Sequence, residues 1–132
     1  MVYPKLTLIV GRPGPLREGL QAALSTMPHL VVVGEADSAA TALEMTLHCA
    51  PILVVLSADA PGRDTLDAWR QLKGRWPEAR CIILADTVQQ QEMARTAGVD
   101  TVLLKGFAAP KLFAAVETLF GEAEEARAAP DL

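Results

Sequence analysis

Five short apolar runs, separated by stretches with helical spacing, constrain this 132-residue chain more than any other feature. They are Leu6-Thr7-Leu8-Ile9-Val10, Leu30-Val31-Val32-Val33, Ile52-Leu53-Val54-Val55-Leu56, Cys81-Ile82-Ile83-Leu84 and Thr101-Val102-Leu103-Leu104. Each is short, rich in β-branched residues and continuous rather than alternating. A strand that is apolar at every position has both faces covered, which points to a parallel sheet between two layers of helix.

The gaps supply the helices. Leu16, Leu20, Leu24 and Met27 recur at helical spacing behind Pro15, which suits a first turn. Leu43 and Leu47 mark a second helix. Leu66, Trp69, Leu72 and Trp76 form a stripe that opens at Asp64, a residue suited to an N-cap, and stops at Pro77. Both tryptophans are expected in the core. Thr87-Val88-Gln89-Gln90 has capping-box spacing ahead of Met93, Ala94 and Ala97, and Gly98 is placed to end that fourth helix. Pro110 opens a fifth with Leu112, Phe113, Val116, Leu119 and Phe120, and Gly121 is read as its terminator. The expected units are therefore a domain over 1–121 and a flexible tail or linker over 122–132.

Alternation of strand and helix with short, right-handed connections gives an α/β fold: a flavodoxin-like (βα)5 doubly wound parallel sheet, with strand order 2-1-3-4-5. Chemistry in such sheets gathers in the crevice at the carboxyl ends of the strands. Those positions are Gly11-Arg12, Ser57 to Asp59, Ala85-Asp86 and Lys105.

Composition removes several alternatives. At 51% hydrophobic residues the chain can bury one core. No apolar run approaches the twenty or so residues of a membrane span, and the first residues lack a basic, apolar and small-residue leader pattern, so a cytoplasmic location with no membrane contact is expected. A net charge of −4 argues against nonspecific nucleic-acid binding by this domain. Cys49, Cys81, His29 and His48 complete no metal-ligand spacing and are read as structural or surface residues, so no metal and no cofactor are expected.

Gly11-Arg12-Pro13-Gly14-Pro15-Leu16-Arg17-Glu18-Gly19-Leu20, Val33-Gly34-Glu35-Ala36, Ala60-Pro61-Gly62, Ala97-Gly98 and Leu103-Leu104-Lys105 resemble, in their joint register, the receiver domains of bacterial response regulators. The resemblance spans residues 5 to 120. It is closest to the CheY-like receivers of the LuxR/NarL-type subfamily, which usually carry a C-terminal helix-turn-helix. It implies that an aspartate ending the third strand would accept a phosphoryl group. An acidic pair after the first strand would help hold Mg²⁺, a hydroxyl residue would end the fourth strand, and a lysine would end the fifth. Here the matching positions are Ser57, Gly11 with Arg12, Ala85 and Lys105, and the aromatic switch position is Val102. Only the lysine is kept.

Phosphoryl transfer depends on positioning and on cations that neutralise oxygens, with the metal held by anionic ligands. Arg12 would oppose a cation there by roughly 4 kcal/mol at about 4 Å. Serine is a poor nucleophile unless a base activates it, and no histidine is placed beside Ser57 to do so. These substitutions predict a pseudo-receiver in two-component signalling or transcriptional control, not an enzyme, that works through contact with a protein partner or with itself as a homodimer. Arg12 and Lys105 are expected to pair with Asp59 and Asp86. Arg95, Phe107 and Lys111 are candidates for the partner face, each weighed against being an ordinary surface or edge residue. Two readings compete: phosphorylation at a displaced acceptor, Asp59, and a small anion- or nucleotide-binding module at the Gly11 loop. Against the second, Pro13 and Pro15 remove two backbone donors from that loop.

Overall fold

The structure is a computed structural model that describes residues 5–47, 49–57 and 65–128, the side chains of 39, 65 and 121–128 excepted. Asp59, His48, the proposed cap Asp64 and the segment Ala60-Pro61-Gly62 lie outside the described residues. The elements run β1 (Lys5–Val10), α1 (Pro15–Ser25), β2 (Leu30–Ala36), α2 (Ala39–Met45), β3 (Leu53–Ser57), α3 (Thr65–Arg75), β4 (Arg80–Ala85), α4 (Val88–Thr96), β5 (Thr101–Leu104) and α5 (Ala109–Ala128). Among the described residues the strands form one parallel sheet in the order β2-β1-β3-β4-β5. This is the doubly wound arrangement expected from the continuous apolar runs.

The central strand shows why its run is uninterrupted. Leu53 and Val55 pack with Leu20 and Leu24 of α1 and Leu112, Val116 and Phe120 of α5. Val54 and Leu56 face the other way, toward Trp69 and Leu72 of α3, Ala42 of α2 and Ala94 of α4. Successive side chains of a strand alternate between faces, so a strand covered on both sides must be apolar throughout. The tryptophans are core residues as expected: Trp69 is fully buried, and Trp76 packs at the edge of the same cluster. Trp76 also donates Nε1–H to the Thr46 carbonyl at 3.1 Å, and Arg75 donates to the Leu43 carbonyl at 2.9 Å. Residues at and just beyond the C-terminus of α3 thereby bond carbonyls at the end of α2, where the Leu43 carbonyl also accepts from Thr46 Oγ1 at 2.8 Å.

Several boundaries differ from the sequence reading. α2 ends at Met45, so Leu47 lies beyond it and is exposed. Leu16 and Met93 occupy helical positions yet face solvent, because the short helices α1 and α4 turn only a narrow stripe toward the sheet. Gly98 does end α4 in a left-handed conformation, φ 83°, but Gly121 ends nothing: α5 continues through it to Ala128. One glycine in a helix costs about 1 kcal/mol relative to alanine, and the alanine- and glutamate-rich residues after it are strong helix formers.

Candidate functional site

The carboxyl ends of β1, β3, β4 and β5 converge on one crevice, and its floor is small and neutral. Gly11 follows β1 and is buried, Ser57 ends β3 with 3% of its surface exposed, and Ala85 ends β4 with none. A Cβ on Gly11 would stand 3.1 Å from the Ser57 Cβ, so the two strand ends approach about as closely as side chains permit. Gly11 N–H donates to the Ala36 carbonyl at 2.9 Å, which ties it also to the end of β2. Beside this floor a cleft of about 250 Å³ runs along the β1–α1 loop, lined by Val10, Arg12, Leu16, Arg17, Leu20 and Ser57 among others.

The charges lie on the rim. Lys105 Nζ stands 2.8 Å from Asp86 Oδ1, as expected from their places at the ends of adjacent strands. The backbone repeats the contact, since Lys105 N–H donates to the Ala85 carbonyl at 2.8 Å, and Gly106 turns the chain away at φ 92°. Thr87 caps α4 by accepting from Gln90 N–H at 3.1 Å. The Gln90 side chain then reaches one residue further back than a standard capping box and accepts from Asp86 N–H at 2.6 Å. Arg12 is exposed on the same rim, and its proposed partner Asp59 lies outside the described residues. Val102, at the switch position, packs partly buried against the α2–α3–α4 side of the core.

Sequence reasoning assigned Arg17 no role, yet it makes several polar contacts at the site. Its guanidinium pairs with Asp37 and stands 3.7 Å from Glu35, while Nη1 donates to the Gly11 carbonyl at 3.2 Å. The usable signal was its place in the first turn of α1, together with the acidic residues at the end of β2. Asp100 was likewise missed: it accepts from Cys81 N–H at 2.9 Å and pairs with Arg80 at the far end of β4. The Cys81 thiol is pushed well above its ordinary range, first by burial and then by Asp100, with Lys73 opposing, which leaves it protonated and unreactive. Of the residues proposed for a partner face, Arg95 and Lys111 are exposed, whereas Phe107 is half-buried against the α1–α5 side of the core.

Among the described residues no helix is long and apolar enough to cross a membrane, and no three His, Cys, Asp or Glu side chains are grouped to hold a metal.

Residues 8–117 match the model of the response regulator receiver domain. The chain is 33% identical over 104 residues to the DNA-binding transcriptional activator DevR/DosR of Mycobacterium tuberculosis, which covers 77% of this chain and 48% of that protein. It is 28% identical over 121 residues to the transcriptional regulatory protein MctR of Rhizobium johnstonii, covering 89% of this chain and 56% of that one. The chain thus spans about half the length of these curated relatives. Its fold superposes on a LuxR-family two-component response regulator from Aurantimonas sp. SI85-9A1 with a TM-score of 0.79 and 25% identity, covering 89% of this chain and 86% of that chain.

Proposed function

Because the chain belongs to the response-regulator receiver family, we propose that it is a pseudo-receiver: a module of signal transduction that works by protein contact, without Mg²⁺-dependent aspartyl phosphorylation and without catalysis of its own. The observation that carries this reading is the neutral floor beside a self-paired lysine. Lys105, the cation that would meet an incoming phosphoryl group, is engaged with Asp86 at 2.8 Å, and Ser57 takes the place of the acceptor.

Mg²⁺ fits these residues poorly. It is a hard ion that asks for near-octahedral oxygen ligands, including one or two carboxylates. Gly11, Ser57 and Ala85 offer no carboxylate, a Cβ at residue 11 would already crowd Ser57, and Arg12 adds positive charge at the rim. Among the described residues, the neighbouring carboxylates Glu35 and Asp37 are engaged with Arg17, and Asp86 with Lys105. No step of the reading passes through a metal.

The names of the relatives point to transcriptional control as the process served. In this reading residues 1–121 are the receiver unit and the remainder of α5 is a connector toward an output segment, a helix-turn-helix in a longer chain. The receiver itself contacts a protein partner or a second copy through a face that includes Arg95, Phe107 and Lys111. Nucleic acid is left to the output segment, and the setting is cytoplasmic.

Incubation with acetyl phosphate and Mg²⁺, followed by intact mass spectrometry, tests the proposal. The expected spectrum shows unmodified protein. A gain of one phosphoryl group would overturn it, and mapping the site to Asp59 would install the displaced-acceptor reading in its place.

A further inference from the structure

The β1–α1 loop forms one wall of the crevice, and one side chain ties it to the next strand. Arg17 stands in the first turn of α1, and its guanidinium reaches three groups: the Gly11 carbonyl at 3.2 Å, the Asp37 carboxylate, and Glu35 at 3.7 Å. Glu35 belongs to β2, and Asp37 follows it immediately. Gly11 is therefore held twice, through its N–H to the Ala36 carbonyl and through its carbonyl to Arg17, and a Cβ on it would crowd Ser57 at 3.1 Å. A planar guanidinium presents five donors in a fixed fork, and here Nη1 reaches both the Gly11 carbonyl and the Asp37 carboxylate while Nε faces Glu35, a spread of donors wider than the single nitrogen of an ammonium offers.

We infer that Arg17 is a positioning residue, a strap that fixes the β1–α1 loop to the β2–α2 junction and so sets the shape of the crevice wall. Its side chain is 18% exposed and that of Glu35 29%, so this arm of the strap is partly shielded from water, while the closer Asp37 carboxylate is 68% exposed and more open to screening. The strap is a rigid feature of the loop that a partner would meet. It goes beyond the proposed function and stands independently of it: phosphoryl uptake by a chain with a protected loop would sink the pseudo-receiver reading and leave the strap, whereas no uptake with a loosely held loop would do the reverse.

Amide hydrogen exchange separates a local strap from a general contribution to stability. The reporting amides are Gly11, which donates to the Ala36 carbonyl at 2.9 Å, and Glu18, which donates to the Gly14 carbonyl at 3.0 Å. In Arg17→Ala these amides should exchange about tenfold faster or more, while Val55 of β3 and Ile82 of β4 keep their protection. Arg17→Lys, which keeps the charge and most of the stem but lacks the fork, should give an intermediate rise at the same two amides, and it stands as the test if the alanine variant unfolds. Unchanged loop exchange in both variants, or loop and core amides accelerating in step in both, would overturn the inference.

Discussion

The floor and the rim of the crevice are built on opposite electrostatic terms. The floor, Gly11, Ser57 and Ala85, is uncharged and nearly or wholly shut off from solvent. The rim carries the charges, and solvent reaches its described pairs to differing degrees: Arg17 with Glu35 is more enclosed, whereas Lys105 with Asp86 and Arg17 with Asp37 are more open, the Asp86 and Asp37 side chains being 40% and 68% exposed. A charge deep in a protein loses its hydration and must be compensated by excellent geometry, while a charge at the edge keeps much of its water and gains little from pairing. Charge at the floor should therefore be expensive, and loss of charge at the rim cheap.

Substitutions can break that contrast, and urea denaturation can read them. Ala85→Asp would place a carboxylate where no surface is exposed, so a loss of about 3 to 5 kcal/mol, or outright unfolding, is expected. Ser57→Leu overpacks the floor beside Gly11 without adding charge and should cost about 1 to 3 kcal/mol. On the rim, Arg17→Ala removes a partly shielded charge-assisted hydrogen bond to a backbone carbonyl, and about 1 to 2 kcal/mol should follow. Asp86→Asn should cost under about 1 kcal/mol, and less still in molar salt, where the screening length shrinks to about 3 Å. If Asp86→Asn proved as damaging as Ala85→Asp, the division into floor and rim would fail.

How much of this was legible in the sequence follows the same physical divide. The strands could be read because β1, β3 and β4 are buried on both faces, which leaves few polar positions to confuse the pattern, Thr7 and Ser57 being the buried exceptions. The Lys105–Asp86 pair could be anticipated because topology alone puts the ends of β4 and β5 side by side. Helix faces were harder. Leu16 and Met93 fit a 3.6-residue period as well as Leu20 or Leu24 do, but short helices over the sheet leave apolar residues outside the contact, and Leu47 falls past the end of α2, neither of which periodicity registers. Gly121 was misread because a glycine signals a helix end only when the chain adopts positive φ there, and among the described residues that conformation occurs at other glycines. The Arg17 strap was invisible for another reason. It joins residues 11, 17, 35 and 37 through side-chain reach across two elements, and no spacing rule encodes such a contact. The small floor residues were legible one by one, whereas the close approach of Gly11 to Ser57 needed coordinates.

The central claim, that a crevice with a neutral floor and self-paired rim has no use for Mg²⁺, is tested most directly by thermal unfolding with and without millimolar Mg²⁺ at matched ionic strength. A ligand that binds the folded state must raise the melting temperature by mass action. The account predicts superimposable melts, and a clear rise specific to Mg²⁺ would contradict it.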